Sequence, residues 1–446
     1  MKTGIKIPVY MLAAMALCIA LLTLSACIPR EAIQNQSQSS AEYFADRKPF
    51  AILYQDYVNT IQDNYSDTVL CDIAYCIDPS HPFKSAIRAK YAQGEYEEAY
   101  EGYLAAVNGR EDPNREYGRY WHGSLVLIRP LLAVMPIGTI RILCGVIIMI
   151  LQGITVTILV RKKKTAFAVC WLLGLLLVHP WMLFTSLEYG TAFLAASAAS
   201  LAILLKKDHS DAGTMPFFMV IGVITCFVDF LTTETLTFTL PMLLLLADRI
   251  VTGREAGRTA GTTGTAKAVC LSVIKNGLCW LGGYLAMFAL KLGLLAAVAG
   301  MDVVQSSMSE GLLRLGGSVR TANFSIAPIA GFGTQISGAI WHNLACLYPT
   351  HAGTMQAAAA WIPTLAILAV GFAVVYLLHG KIDGKLFLPM GMVALLPYLR
   401  FLVLSNHSYE HFFITYRAQM VPIVVFLFFV FENGIRQITK ARKGAK

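Results

Sequence analysis

Residues 137–164 read IGTIRILCGVIIMILQGITVTILVRKKK. The first 24 residues, 137–160, are almost wholly apolar, and four cations follow, Arg161 to Lys164. A segment of about 20 apolar residues is what a helix needs to cross a bilayer, and a basic cluster at its end marks the cytoplasmic side. The same grammar recurs through the chain. Apolar windows stand at 7–27, 166–186, 190–205, 215–231, 235–251, 277–299, 356–378, 386–404 and 415–432. Counting 137–160, that predicts an all-α integral membrane protein with about ten transmembrane helices.

Composition agrees. The chain has 446 residues, 56% hydrophobic and 14% charged, with a mean hydropathy of +0.58. Soluble domains carry about 25% charged residues. An ordinary soluble enzyme, a disordered chain and a disulfide-stapled secreted domain are excluded. The net charge of +9 is unevenly spread. From Arg30 to Arg119 there are nine Lys/Arg and fifteen Asp/Glu, a balance of −6, which leaves +15 elsewhere. That surplus lies in Arg161–Lys164, Lys206/Lys207, Arg249 to Lys267, Lys381/Lys385 and Arg436 to Lys446. Ten spans put all five clusters and both termini on the cytoplasmic side of a plasma membrane. The basic excess is therefore a topology signal. No basic stripe with interleaved aromatics occurs, so nucleic acid is not an expected partner.

The domain plan follows. Residues 1–27 form a signal anchor or first span. Lys2 and Lys6, an apolar run and Leu24-Ser25-Ala26-Cys27 also resemble a lipoprotein signal with Cys27 as the lipidated residue; nine later spans favour the anchor. Residues 28–123 form a small, mainly helical extracytoplasmic domain. In it Ser37 to Ser40 reads as a linker, and Tyr96, Tyr100 and Tyr103 fall at helical spacing among glutamates. Cys71 and Cys76 could pair there; no CxxC or Cys/His metal spacing is present. Residues 124–136, with Arg129 and Pro130, are too short to cross and read as an interfacial or re-entrant helix. Spans two to seven occupy 137–300. Residues 301–355 are an outer loop with interfacial helices, 356–432 hold spans eight to ten, and 433–446 form a basic cytoplasmic tail.

The candidate chemistry gathers at the outer ends of the spans. Asp63 and Asp67 would share a face if helical, a placement suited to general-base work or a divalent metal, with a solvated acidic face as the plain alternative. Arg119 and His122 lie in the Tyr117–Gly123 run just before the membrane, where aromatic residues anchor at the interface or line a phosphate or sugar site. Asp229, Glu234, Glu188, Arg400 and Arg417 fall at span ends, with Arg314 and Arg320 in the outer loop. His407 and His411 stand between Arg400 and Arg417; their spacing would allow a shared metal, although no HExxH occurs. Ionisable residues in spans are costly and mark function by default. Lys291, deep in span seven, calls for a carboxylate such as Asp229 or a water path. Arginines suit a phosphorylated substrate, and a carboxylate can activate an acceptor hydroxyl. No Walker A loop, GxSxG or GxGxxG before a helix is present.

This layout resembles the C-type glycosyltransferase (GT-C) superfamily: an inner N-terminus, one span, a large outer loop with early carboxylates, then many spans with re-entrant pieces. Arg119-Tyr120-Trp121-His122-Gly123, Asp229 with its following Leu-Thr, and the stretch from Asn406-His407-Ser408 to Tyr416-Arg417 also look similar to a group of polytopic membrane proteins of Gram-positive bacteria. The resemblance implies transfer of a sugar from a polyprenyl-phosphate carrier during cell-envelope glycan assembly. In that superfamily the catalytic carboxylate stands in the first outer loop, often as Asp-x-Asp or Glu-x-Asp. No such tripeptide occurs here, so Asp67, with Asp63 in reserve, takes that place. Arg417 becomes the phosphate contact, with Arg119, His122, Asp229, Glu234, Arg320, His407 and His411 as the substrate-binding set. Partners would be membrane lipid and the lipid-linked sugar; a divalent cation is an open cofactor. A lipid-linked-glycan transporter or flippase and a non-catalytic assembly protein are the competing functions.

Overall fold

The computed structural model describes residues 3–255, 265–316, 332–355, 361–380 and 382–435. Nearly every element is a helix: α1 Thr3–Ala26, α2 Arg30–Ala45, α3 Tyr65–Cys76, α4 Pro82–Arg88, α5 Ala99–Val107, α6 Leu125–Leu132, α7 Ile137–Arg161, α8 Thr165–Leu177 and α9 Leu187–Leu205. The remainder are α10 Asp211–Val228, α11 Leu236–Glu255, α12 Ala266–Ala299, α13 Met301–Gly316, α14 Phe332–Ala345, α15 Ile362–Leu377, α16 Gly384–Val403, α17 Ser405–Glu410, α18 Phe412–Thr415 and α19 Met420–Val430. One antiparallel hairpin, β1 Phe50–Ile52 and β2 Ile61–Asp63, interrupts them, with Phe50 opposite Asp63.

Among the described residues, seven helical stretches are long and apolar enough to cross a membrane: Lys6–Ala26, α7, α9, α10, α12, α16 and Phe412–Gly434. Thr165–Leu177, Leu236–Asp248 and Ile362–Leu377 are shorter apolar helices. All ten fall on the ten windows read from sequence. The faces they present explain why. Along α7, Ile142, Val146, Ile150 and Ile154 recur every fourth residue and are exposed, whereas Ile140, Arg141, Gly145, Ile148 and Gln152 are buried. An outward stripe of that kind suits hydrocarbon, and the inward one suits packing. Inside, Gln152 donates to Ser197 Oγ and Trp171 Nε1 donates to Gln152, each at 2.8 Å, which ties α7, α8 and α9 together. Between α10 and α12, Gly222 faces the Trp280 carbonyl and Gly283 the Met219 carbonyl so closely that a Cβ at either would collide with backbone. Small residues permit that approach.

The polar domain keeps its helical character, with particular departures. Ser37 to Ser40 is no linker: it lies inside α2, with Ser37 and Ser40 fully buried. Tyr96 lies ahead of α5, which starts at Ala99 behind a Glu98/Glu101 capping box; Tyr103 is its buried tyrosine. Cys71 and Cys76 are separate buried thiols. Five residues on a helix is a rotation of about 140°, which points them apart.

Cations bind this domain to the apolar helices through helix ends. Arg129 of α6 is fully buried and donates to the carbonyls of Ser25 (2.9 Å), Ile28 (2.5 Å) and Ala74. Ser25 lies in the last turn of α1 and Ala74 in that of α3. Arg30 donates to Cys76 O at 2.9 Å and Ile77 O at 3.3 Å, closing α3 again. Lys291 of α12 donates to Ile87 O at 2.6 Å, in the last turn of α4, and stands 5.3 Å from the Trp121 ring. The last carbonyls of a helix lack intrahelical donors and carry partial negative charge, so each cation meets a ready acceptor. The carboxylate expected for Lys291 is not there; a helix end takes its place.

Candidate functional site

Asp63 and Asp67 do not share a helical face. Asp63 ends β2, and Asp67 lies in the first turn of α3. Their environments differ sharply. Asp67 is fully buried and fully engaged: Arg141 Nε donates to it at 2.6 Å, Leu187 N at 2.9 Å and Glu188 N at 3.2 Å. It neutralises Arg141 and caps the N-terminus of α9, which fits a structural anion. Arg141 also reaches Asn64 Oδ1 at 3.0 Å. Asp63 is equally buried but has no cation bonded to its carboxylate. Only Ser66 donates to it, from N at 2.8 Å and from Oγ at 2.9 Å. Burial, with the Asp67 charge adding, pushes the Asp63 carboxyl up to about 7 against the pull of the Ser66 bonds. At neutral pH it therefore stands between acid and base.

From Asp63 a ring of polar groups can be followed, joined partly by hydrogen bonds and partly by electrostatic coupling. The Glu188 carboxyl, at the start of α9, lies within electrostatic reach of Asp63, Asp67 and Asp229. Asp229 caps the turn after α10 by accepting from Thr232 N at 3.1 Å and Thr232 Oγ1, and it senses Glu234. Glu234 is bonded to Arg400 Nε at 2.7 Å. Arg400 also donates to Ser408 Oγ at 2.8 Å and to the Leu231 carbonyl, and lies 3.4 Å from His407 Nδ1. The His407 and His411 rings are 4.6 Å apart, and His411 is 6.2 Å from Phe413. The Phe413 carbonyl accepts from Arg417 Nη1 at 2.6 Å, and the Arg417 guanidinium stacks 4.1 Å from the Tyr189 ring. Tyr189 closes the ring: its phenol donates to Ile61 O at 2.5 Å, two residues before Asp63, whose charge it senses.

Two members carry no partner of the usual kind. The Glu188 carboxyl is buried and makes no hydrogen bond or ion pair among the described residues. Arg417 is buried, pairs with no carboxylate among the described residues, and leaves Nε and Nη2 without acceptors. Buried guanidinium donors are normally satisfied. Arg129, Arg141 and Arg400 all are.

The remaining sequence candidates Arg119 and His122 lie among the aromatic residues of the 117–123 run. Arg119 lies over Tyr117 at 4.2 Å and Tyr120 at 5.3 Å. His122 is buried, packs 5.0 Å from both Tyr117 and Phe230, and donates from Nε2 to Tyr117 O at 2.9 Å. Burial pushes its pKa down to about 3, so it is neutral at physiological pH and offers an anion no charge. Arg320 lies outside the described residues. Asp229, Glu234, His407 and His411 form one arc, which Arg417 joins through Phe413 and Tyr189. Among the described residues no cluster of three His, Cys, Asp or Glu is arranged to hold a metal.

No protein family, curated protein or solved structure matches this chain. Function must therefore be argued from the ring itself. Two of its supports were missed in the sequence. Arg141 sits five residues into an apolar window, and an ionisable residue there is itself a signal that demands a partner. Tyr189 carried no such mark; its role depends on the register that sets it beside Arg417.

Proposed function

We propose that the chain is a membrane glycosyltransferase-like enzyme of the extracytoplasmic face. It would take a sugar from a polyprenyl-phosphate donor, in a ten-span topology with both termini cytoplasmic. The observation that carries this reading is Arg417: a buried guanidinium with two free donors, whose neighbours are Tyr189, Tyr416 and backbone carbonyls rather than a carboxylate. Phosphate oxygens match that donor set in number and charge. Asp63, whose carboxyl is raised to about 7, replaces Asp67 as the proton acceptor in the reading, because Asp67 is committed to Arg141 and α9.

In the step envisaged, the acceptor O–H gives its proton to the Asp63 carboxylate. The acceptor oxygen forms a bond to the anomeric carbon, and the bond from that carbon to the phosphate oxygen breaks. The phosphate leaves with the electron pair, and Arg417 meets the charge it keeps.

Purified protein in nanodiscs should bind polyprenyl phosphate, read by native mass spectrometry. Losing hydrogen bonds to a charged group costs about 1.5–3 kcal/mol. Arg417→Ala should then weaken binding roughly tenfold to hundredfold, and Arg417→Lys should recover part of it. Wild-type affinity in Arg417→Ala removes the phosphate site. Binding without sugar transfer, joined to movement of the lipid across vesicles, would make the protein a transporter.

A further inference from the structure

The β1–β2 hairpin ends in a run that a water-facing hairpin avoids. Ile52, Leu53 and Tyr54 are consecutive and remain 37%, 50% and 58% exposed. Successive strand residues point to opposite faces. Ile52 ends the strand and Leu53 and Tyr54 follow it, so the strand end and the start of the turn are apolar together, a run that soluble surfaces exclude unless it has a use. The turn that follows is tight: Tyr57 N donates to Tyr54 O at 3.0 Å, and Gln55 and Asp56 adopt φ of 44° and 55°. The tip is thus held in shape rather than collapsed onto the domain.

Its height against the apolar helices is also fixed. Leu53 N donates to Thr60 O at 3.1 Å. The adjoining Asn59 amide donates to Tyr348 O at 3.1 Å and lies 3.4 Å from His179 Nε2, just past the end of α8. Tyr348 in turn bonds Thr364 of α15 through its hydroxyl at 2.7 Å. Val58 N donates to Thr350 O at 3.0 Å, and the Tyr57 ring stands 4.9 Å from His351. So the tip is level with the ends of two apolar helices and not at the far pole of the polar domain. Trp181, beside His179 at 5.1 Å, is 54% exposed at the same level. Tryptophan and tyrosine favour the boundary between headgroups and acyl chains.

We propose that Ile52, Leu53 and Tyr54, together with Trp181, form an interfacial finger inserted into the headgroup–acyl boundary of the adjacent lipid leaflet. The occupant is lipid, because the finger adjoins helix ends whose own outward faces are apolar. Its root is Asp63, opposite Phe50, so the finger borders the polar ring. The inference stands whether or not the ring transfers sugar.

The test uses full-length protein with Cys27→Ser, which removes the exposed native thiol. Bimane is attached to Leu53→Cys or, separately, Tyr54→Cys, and the protein is placed in phosphatidylcholine–phosphatidylglycerol vesicles. Asp112→Cys, in the polar stretch after α5, is the reference. Blue-shifted emission at 53 and 54, with quenching by acyl-chain doxyl lipid well above that at 112, is expected. Quenching no stronger than at 112 overturns the proposal. So does a blue shift that doxyl lipid leaves untouched and that disappears at one protein per vesicle, since a second copy would then cover the tip.

Discussion

Substituting Asn for Asp67 should damage the fold before it touches any chemistry. The perturbation removes the only carboxylate bonded to Arg141 among the described residues, with both side chains essentially inaccessible to water. With charge centres about 4 Å apart and an effective permittivity of about 20, their attraction is about 4 kcal/mol. The N-terminus of α9 also loses its anion, worth about 0.3–1 kcal/mol at ordinary sites and up to about 2 where partly buried. Breaking one side of a buried pair costs about 3–5 kcal/mol in measured cases, since the surviving charge stays in place. Asp67→Asn should therefore lower the melting temperature of detergent-solubilised protein markedly and reduce the folded yield. Replacing both partners, Asp67→Leu with Arg141→Met, should recover much of the loss, because the orphaned charge is gone. A thermal scan of wild type, Asp67→Leu, Arg141→Met and the double variant forms a double-mutant cycle. If Asp67→Asn melts with the wild type, or if the double variant is no better than the single ones, Asp67 is not the structural anion described here.

Asp63 makes a pH prediction. Its folded pKa near 7 lies above the ordinary value of 3.8. Its contribution to stability is full below pH 3.8 and is lost as pH rises through about 7. Stability measured across that window should be flatter in Asp63→Asn than in wild type; unchanged curvature would place the titration elsewhere. Arg129→Ala should cost stability at three helix-end and loop carbonyls at once, about 1–3 kcal/mol for each group left buried and unpaired. It should also loosen α1, measured as faster proteolysis after residue 26; an unaltered cleavage pattern would separate α1 from the domain.

The apolar helices were legible because their signal is additive: twenty residues of one character outvote any local exception. Their ends were not. The window 166–186 breaks after Leu177, because Pro180 disfavours helix at His179, which turns left-handed with φ 56°. The window 277–299 is the latter part of α12, which starts at Ala266, where Thr265 caps it by accepting from Ala268 N at 3.2 Å. In the polar domain, the β1–β2 hairpin escaped because its strands are three residues long and lack a sustained alternation. That miss bears on the candidate carboxylates: Asp63 and Asp67 would share a face only on one helix, whereas the strand-to-helix junction bonds Arg141 to the carboxylate of Asp67 and not to that of Asp63. Lys291 looked like a charge in hydrocarbon; it is a side chain reaching a carbonyl of α4. Long-range pairings such as Arg141 with Asp67 or Arg400 with Glu234 have no local trace in sequence, since each joins elements far apart along the chain.

The packing of the polar domain bears on the order in which the protein can be made. Ile33, Phe44 and Tyr103 of the domain belong to the same buried apolar cluster as Leu22 of α1, Val223 of α10 and Met287 and Leu295 of α12. Residues 28–123 leave the ribosome early, yet part of their core and one of their helix ends are supplied by α12, near the middle of the chain. The domain is therefore not a detachable module that folds and then waits. It must remain incomplete while the intervening helices are inserted, with apolar surface and the last carbonyls of α4 still open. A stop or misinsertion anywhere up to α12 should then leave the domain unfinished, far along the chain from the fault.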